Sequence, residues 1–248
     1  MSTKKVIALV GSFLVTLVIF VVILMPAQVV KGALIPAAST DSGAPDVRVS
    51  GLWWKGHADS IWKQQSISVN WEMDWRGLTP GLLLSSATGE IEVSGWVGVS
   101  NGGWQIADAN ALLPARQVSE FLPMGSASGV LKLSQVALNF ADDAVEHVSG
   151  ALHYTGGELN WGFGDPVTVP PLDGLLSMQA SGPQLEIQDN KKQKLAMAFV
   201  ENKMIVLQVL QAFPQLLGMA ELGGDPNEEV YRTSRPLDFS NLGDGAGA

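Results

Sequence analysis

The pentapeptide Gly98-Val99-Ser100-Asn101-Gly102 has the G-x-S-x-G spacing of a serine-hydrolase nucleophile. That spacing works only on a strand-to-helix elbow, where the helix N-terminus and backbone N–H groups support an oxyanion. Here Gly103 and the strand-like Trp104 to Ala107 follow, which puts Ser100 in a hairpin turn instead. Gly162-Phe163-Gly164 opens like a dinucleotide loop, but Pro166-Val167-Thr168-Val169-Pro170 cannot start the helix such a loop requires. His57, His147 and His153 are the only histidines and lack a zinc spacing. Asp142-Asp143 and Glu146-His147 fit a solvated turn. Glu72 and Asp74 share one side of a strand, and cleaving a sugar with them would need a cleft. No catalytic constellation survives, so the chain is expected to be no enzyme and to carry neither cofactor nor metal.

The elements that would hold such residues are mostly strands. From Ser66 to Trp75 the chain alternates without a fault. Ile67, Val69, Trp71, Met73 and Trp75 form an apolar set, expected to line a buried face or a groove. Ser66, Ser68, Asn70, Glu72 and Asp74 form the wet one. One dry face and one wet face is the pattern of antiparallel sheet. Burying the five apolar side chains is worth about 8–15 kcal/mol gross, and a one-residue slip would forfeit most of it.

Similar short runs follow, bounded by Gly, Asn or Pro. They include Glu90 to Val93, Trp96 to Val99, Trp104 to Ala107, Val130 to Phe140, Val148 to Tyr154, Leu175 to Ala180, Leu185 to Gln188 and Leu195 to Val200. Asn101-Gly102 predicts a hairpin, and Asp189 to Gln193 a polar turn. Val49-Ser50-Gly51, Val93-Ser94-Gly95 and Val148-Ser149-Gly150 repeat one another. They are read either as a common way to enter a strand or as the mark of a meander. Pro114 to Leu122 predicts a short helix stopped by Pro123. Val206 to Leu222 is apolar near a helical period but contains Pro214, which predicts either a kinked helix or a strand followed by a short helix. Val230 to Arg232 is a candidate last strand, and Gly243 to Ala248 is expected to be disordered. All eight Trp fall between Trp53 and Trp161; interior packing is the default expectation for them, a ligand or lipid platform the alternative.

Ahead of this lies an uncharged run of twenty residues, from Val6 through Leu14 to Met25, preceded by Lys4 and Lys5. At about 1.5 Å per helical residue it spans about 30 Å, the thickness of a bilayer's hydrocarbon core. The positive-inside rule keeps residues 1–5 in the cytoplasm, makes 6–25 a single membrane anchor and exports the rest. A cleavable signal is the rival reading, but its apolar stretch is shorter and Pro26 to Lys31 offers no small-x-small site; Pro36 to Ser39 is a weaker candidate downstream. Residues 26–46, rich in Ala, Pro, Ser and Gly, read as a linker. A mainly β domain is expected from 47 to 222, with one antiparallel, curved sheet and one or two short helices. A partly disordered extension is expected from 223 to 248. The domain is large enough for a sizeable core.

From Asp41 onward the chain carries 12 Lys and Arg against 24 Asp and Glu, a net charge of −12. Such a surface repels phosphate backbones and excludes nucleic acid as an expected partner. The absence of cysteine removes disulfides and thiol chemistry, suits a periplasm, and rules out a lipoprotein anchor.

The segment Gly51-Leu52-Trp53-Trp54-Lys55-Gly56-His57-Ala58, with the alternating Trp strand that follows, resembles type II secretion system protein N (general secretion pathway protein N). In that family a G-x-x-W-x-G-x-A stretch precedes such a strand. Trp96, Gly129 to Leu133 and Val148 to Leu152 also look like its pattern; Glu229 to Arg232 is only a loose counterpart of its last strand. The resemblance implies a non-catalytic accessory or scaffold subunit of the inner-membrane secretion platform, with other platform subunits and the bilayer as partners. The family is also similar to AsmA-like proteins, whose sheets curl into apolar grooves that carry lipid. That implies the alternative, a periplasmic lipid-binding or lipid-transfer protein, with phospholipid as ligand.

Overall fold

The structure is a computed structural model, described here for residues 24–28, 47–62, 65–100, 103–119, 126–141, 144–160, 165–201, 204–218 and 224–236. Val6, Leu14 and the rest of the expected anchor up to residue 23 lie outside these, as do Gly243 to Ala248. Among the described residues no helix is long and apolar enough to cross a membrane. The chain divides into two compact units, Met1–Met73 and Asp74–Ala248.

In the first unit, β1 (Val47–Leu52), β2 (Lys55–Trp62) and β3 (Gln65–Arg76, up to Met73) form an antiparallel meander. Gly51 pairs with Gly56 at the β1–β2 hairpin and has φ +91. A side chain there would be strained, and its Cβ would sit 2.7 Å from the Lys55 carbonyl oxygen. The expected linker begins differently from a free spacer. Pro26 forms a β-bridge with Leu52, the Trp53 N–H donates to the Met25 carbonyl at 3.2 Å, and the Gln28 side chain donates to the Val49 carbonyl at 3.2 Å. Ala27 is buried there.

In the second unit β4 (Thr79–Thr88), β5 (Ile91–Ser100) and β6 (Gly103–Pro114) continue as hairpins. Helix α1 (Ala115–Ser119) and β7 (Ser126–Ala127) precede β8 (Val130–Ala141) and β9 (Ala144–Tyr154). Then come β10 (Gly157–Asn160), β11 (Val167–Val169), β12 (Leu172–Gln179), β13 (Gly182–Gln188), β14 (Lys194–Glu201) and β15 (Met204–Leu210). Helix α2 (Ala212–Leu216) and β16 (Glu229–Pro236) complete it. The strands pair in the order β4-β5-β6-β8-β9-β12-β13-β14-β15-β16, all antiparallel, with β11-β10-β7 as a separate small sheet. The meander reading therefore holds except where β8 pairs with β6 and β12 with β9. Ser100 pairs with Gly103; Asn101-Gly102, where the hairpin turn was expected, lies outside the described residues.

Two expectations take a different form, and between them one open alternative is decided. The first helix covers only Ala115–Ser119, and Pro114 ends β6 rather than opening the helix; 120–125 lie outside the described residues. Val206 to Leu222 follows the second reading, the end of β15 and then α2, with Pro214 in the first turn, where its missing N–H costs nothing; 219–222 lie outside the described residues. The sheet also runs beyond the expected end at Leu222, because β16 pairs with β15 from Met204↔Pro236 to Leu210↔Glu229.

Bulges interrupt the ladders at one level in neighbouring strands: in β6 between Ile106 and Asn110, opposite Gly95 of β5, and in β8 between Leu133 and Ala137. Asp108 and Gln135 adopt φ 49 and 51 there. Asn110 ties the line together, its Nδ2 donating to the Asp108 carbonyl at 2.7 Å and its Oδ1 accepting the Gln135 N–H at 3.1 Å. Bulges bend a strand and sharpen its twist, so aligned bulges curve the sheet.

Candidate functional site

The polar face of β2 and β3 carries a chain of side-chain bonds. Lys55 pairs with Glu72 at 3.0 Å, His57 meets Asn70 at 2.8 Å and Asp59 at 2.8 Å, and the Ser68 hydroxyl donates to Asp59 at 2.7 Å. The Ser68 hydrogen bond is the main cause that holds the Asp59 carboxyl below its ordinary pKa; burial opposes it, and His57 adds to it. On β9 and β12, His153 pairs with Asp173 at 2.7 Å beside a shallow cavity of about 280 Å³ lined by Ser134, Leu152 and Leu175 among others. Both faces are solvent-accessible, and among the described residues no group of three metal-ligating side chains converges. Ser100 ends a hairpin strand, without the helix an elbow requires.

The apolar face of β3 is where sequence and structure part. Ile67, Val69, Trp71 and Met73 are half-buried, but Trp75 is 60% exposed. Alternation sets which way a side chain points, not whether a second layer covers it, so Trp75 is not a buried-face residue. Met25, the last residue of the expected anchor, is half-buried against the β1–β2 hairpin.

Trp71 and Trp96 sit on glycines. Trp71 pairs with Gly56, where a Cβ would collide with the indole and sit 2.7 Å from the Ser50 carbonyl oxygen. The Trp71 Nε1–H donates to the Trp53 carbonyl at 3.1 Å. Trp96, 1% exposed, lies over Gly98 on its own strand and over Gly81 opposite; a Cβ on either would run into the ring. The Arg76 guanidinium covers that indole at 4.9 Å and reaches Asp108 at 2.7 Å. Tyr154 packs on Gly129 and donates its hydroxyl to the Ser128 carbonyl at 2.7 Å. Burial raises its phenol pKa. Sequence reading missed these seats, although Trp96-Val97-Gly98 shows one of them directly.

The opposite face of the second unit is apolar, and its two ends differ. At one, Ala115, Tyr154, Val169, Leu172, Leu195 and Ala212 form a buried core closed by α1, α2 and the small sheet. At the other, the register puts Val97, Val99, Trp104, Ile106, Leu138 and Phe140 on that same face, with Trp104 stacked on Phe140 at 5.3 Å. Val99 is 68% and Trp104 40% exposed.

Each unit is thus antiparallel sheet built largely as a meander, with Trp71, Trp96 and Tyr154 seated on glycines and the second unit's apolar face closed at one end. The family described as type II secretion system (T2SS), protein N, matches residues 47–203, from the first residue of β1 to just past the end of β14, and the chain belongs to that family. No curated protein and no solved structure matches it.

Proposed function

We propose that this protein is a non-catalytic accessory subunit, a scaffold of the inner-membrane platform of the type II secretion system. In this reading the Val6–Met25 helix crosses the inner membrane once, residues 1–5 remain in the cytoplasm and the β units stand in the periplasm. The family match over residues 47–203 carries the proposal. The anchor is supported by the twenty-residue uncharged run behind Lys4 and Lys5. Purification of the full chain from its own membranes in mild detergent should bring other platform subunits with it. Loss of the chain should impair export of secreted enzymes while ordinary inner-membrane translocation continues. Recovery of the chain alone under conditions that keep the platform intact would overturn the scaffold reading.

A second reading, lipid binding on an AsmA-like groove, is favoured by one observation, the exposed Val99 and Trp104 on an apolar face. Mass spectrometry of natively purified protein should then find stoichiometric phospholipid that is lost in Trp104→Glu. A lipid-free protein would overturn this reading and leave the scaffold standing.

A further inference from the structure

We propose that the β1–β2 turn, Leu52 to Lys55, is an interfacial foot seated in the headgroup layer of the periplasmic leaflet. The inference rests on the anchor reading above and adds the contact that fixes the first unit to the lipid surface. If the run from Val6 crosses the bilayer, Met25 marks its periplasmic end. The Met25 carbonyl accepts the Trp53 N–H at 3.2 Å, and Pro26 bridges Leu52. The turn therefore lies beside the chain's exit point. The interfacial layer is about 5–7 Å thick on each side of the hydrocarbon core, too thick for the turn to clear it.

The residues at the turn suit that layer. Trp is enriched at membrane–water interfaces because its ring is apolar and its N–H polar, and a Lys stem lies along apolar surface while its ammonium reaches water or phosphate. The turn is also held firmly from behind. The Trp53 carbonyl accepts the Trp71 indole N–H at 3.1 Å, the Trp54 carbonyl accepts the Met73 N–H at 2.5 Å, and Ala27 is 3% exposed. A rigid hairpin clamped to the last residues of an anchor cannot swing away from the membrane as a free linker would allow.

The test uses the full chain, which has no native cysteine, reconstituted in vesicles of phosphatidylethanolamine and phosphatidylglycerol. Single nitroxide labels are placed at Leu14→Cys, Trp54→Cys, Lys55→Cys and Ile61→Cys, and their collisions with oxygen and with a water-soluble nickel chelate are compared. Ile61 is 67% exposed and lies about 20 Å along β2 from the turn at 3.3–3.4 Å per residue. The Leu14 label should be shielded from nickel, the Ile61 label open to it, and the Trp54 and Lys55 labels intermediate, at headgroup depth. Two turn positions guard against one substitution disturbing the fold. If Leu14 is in hydrocarbon while both turn labels are as open to nickel as Ile61, the interfacial foot is wrong and the anchor stands. If Leu14 itself is open to nickel, the anchor reading fails and the foot with it.

Discussion

The indole of Trp71 rests on the bare Cα of Gly56, its partner across β2 and β3. Neither residue can change alone. Trp71→Ala removes a large half-buried ring and should cost about 3 kcal/mol in a urea unfolding curve of the full chain in detergent. Gly56→Ala should destabilise as well, because its methyl would have to displace the ring. A Gly56→Ala protein as stable as the parent would show that the ring is not held there.

Trp96 has the same arrangement with two glycines and an arginine. Gly98→Ala should destabilise by driving the ring off its seat, since the added Cβ would lie 2.6 Å from Cζ3. Arg76→Ala should cost about 1 kcal/mol, from the cation–π contact and a partly screened pair with Asp108. Trp fluorescence should shift to the red in both variants, and an unshifted spectrum would count against the stacked geometry.

Acid should act through Asp59. Its folded pKa is lowered, first by the Ser68 hydroxyl, so its contribution to stability is present above the unfolded value of 3.8 and is lost as pH falls through the folded one. Ser68→Ala should move this loss to higher pH. Thermal melts between pH 2 and pH 5 would show it as a gap between parent and variant that closes as pH falls.

Alkali should act through Tyr154. Burial raises its pKa above 10.0, so its contribution is complete below that value and is lost as pH rises through the folded one. Tyr154→Phe should cost about 1 kcal/mol at neutral pH through the lost bond to the Ser128 carbonyl, and should flatten the alkaline limb.

Protein recovered from membranes should begin at its original N-terminus. Cleavage near Ala38 would remove Met25 to Gln28 together with their contacts to Val49, Leu52 and Trp53.

Much of the fold was legible because strand residues alternate and turns have their own chemistry. Ser66 to Trp75 was readable as a strand from period two alone. The docking of Met25 to Gln28 was not, because backbone groups make most of it and they leave no mark on composition. The bulges at Asp108 and Gln135 were hidden for a related reason. Positive φ is usually announced by glycine, and here it falls on residues with side chains. Trp75 looked buried because periodicity reports direction alone. The glycine seats were on view as Trp-x-Gly in one case, but Gly56 and Trp71 meet only once the register of β2 and β3 is known.

Strand order in the second unit also sets a sequence of assembly. β5 and β6 each close onto the strand before, as do β9 and β13 through β15, so most of the sheet forms through short loops of low contact order. The small sheet is the exception, since β7 must wait for β10 and β10 for β11. A chain emerging N-terminus first through a membrane pore would build its broad sheet as it appears. It would complete the cover of Tyr154 and Leu172 only after Ala212 has emerged, leaving the apolar face open to whatever meets it during that interval.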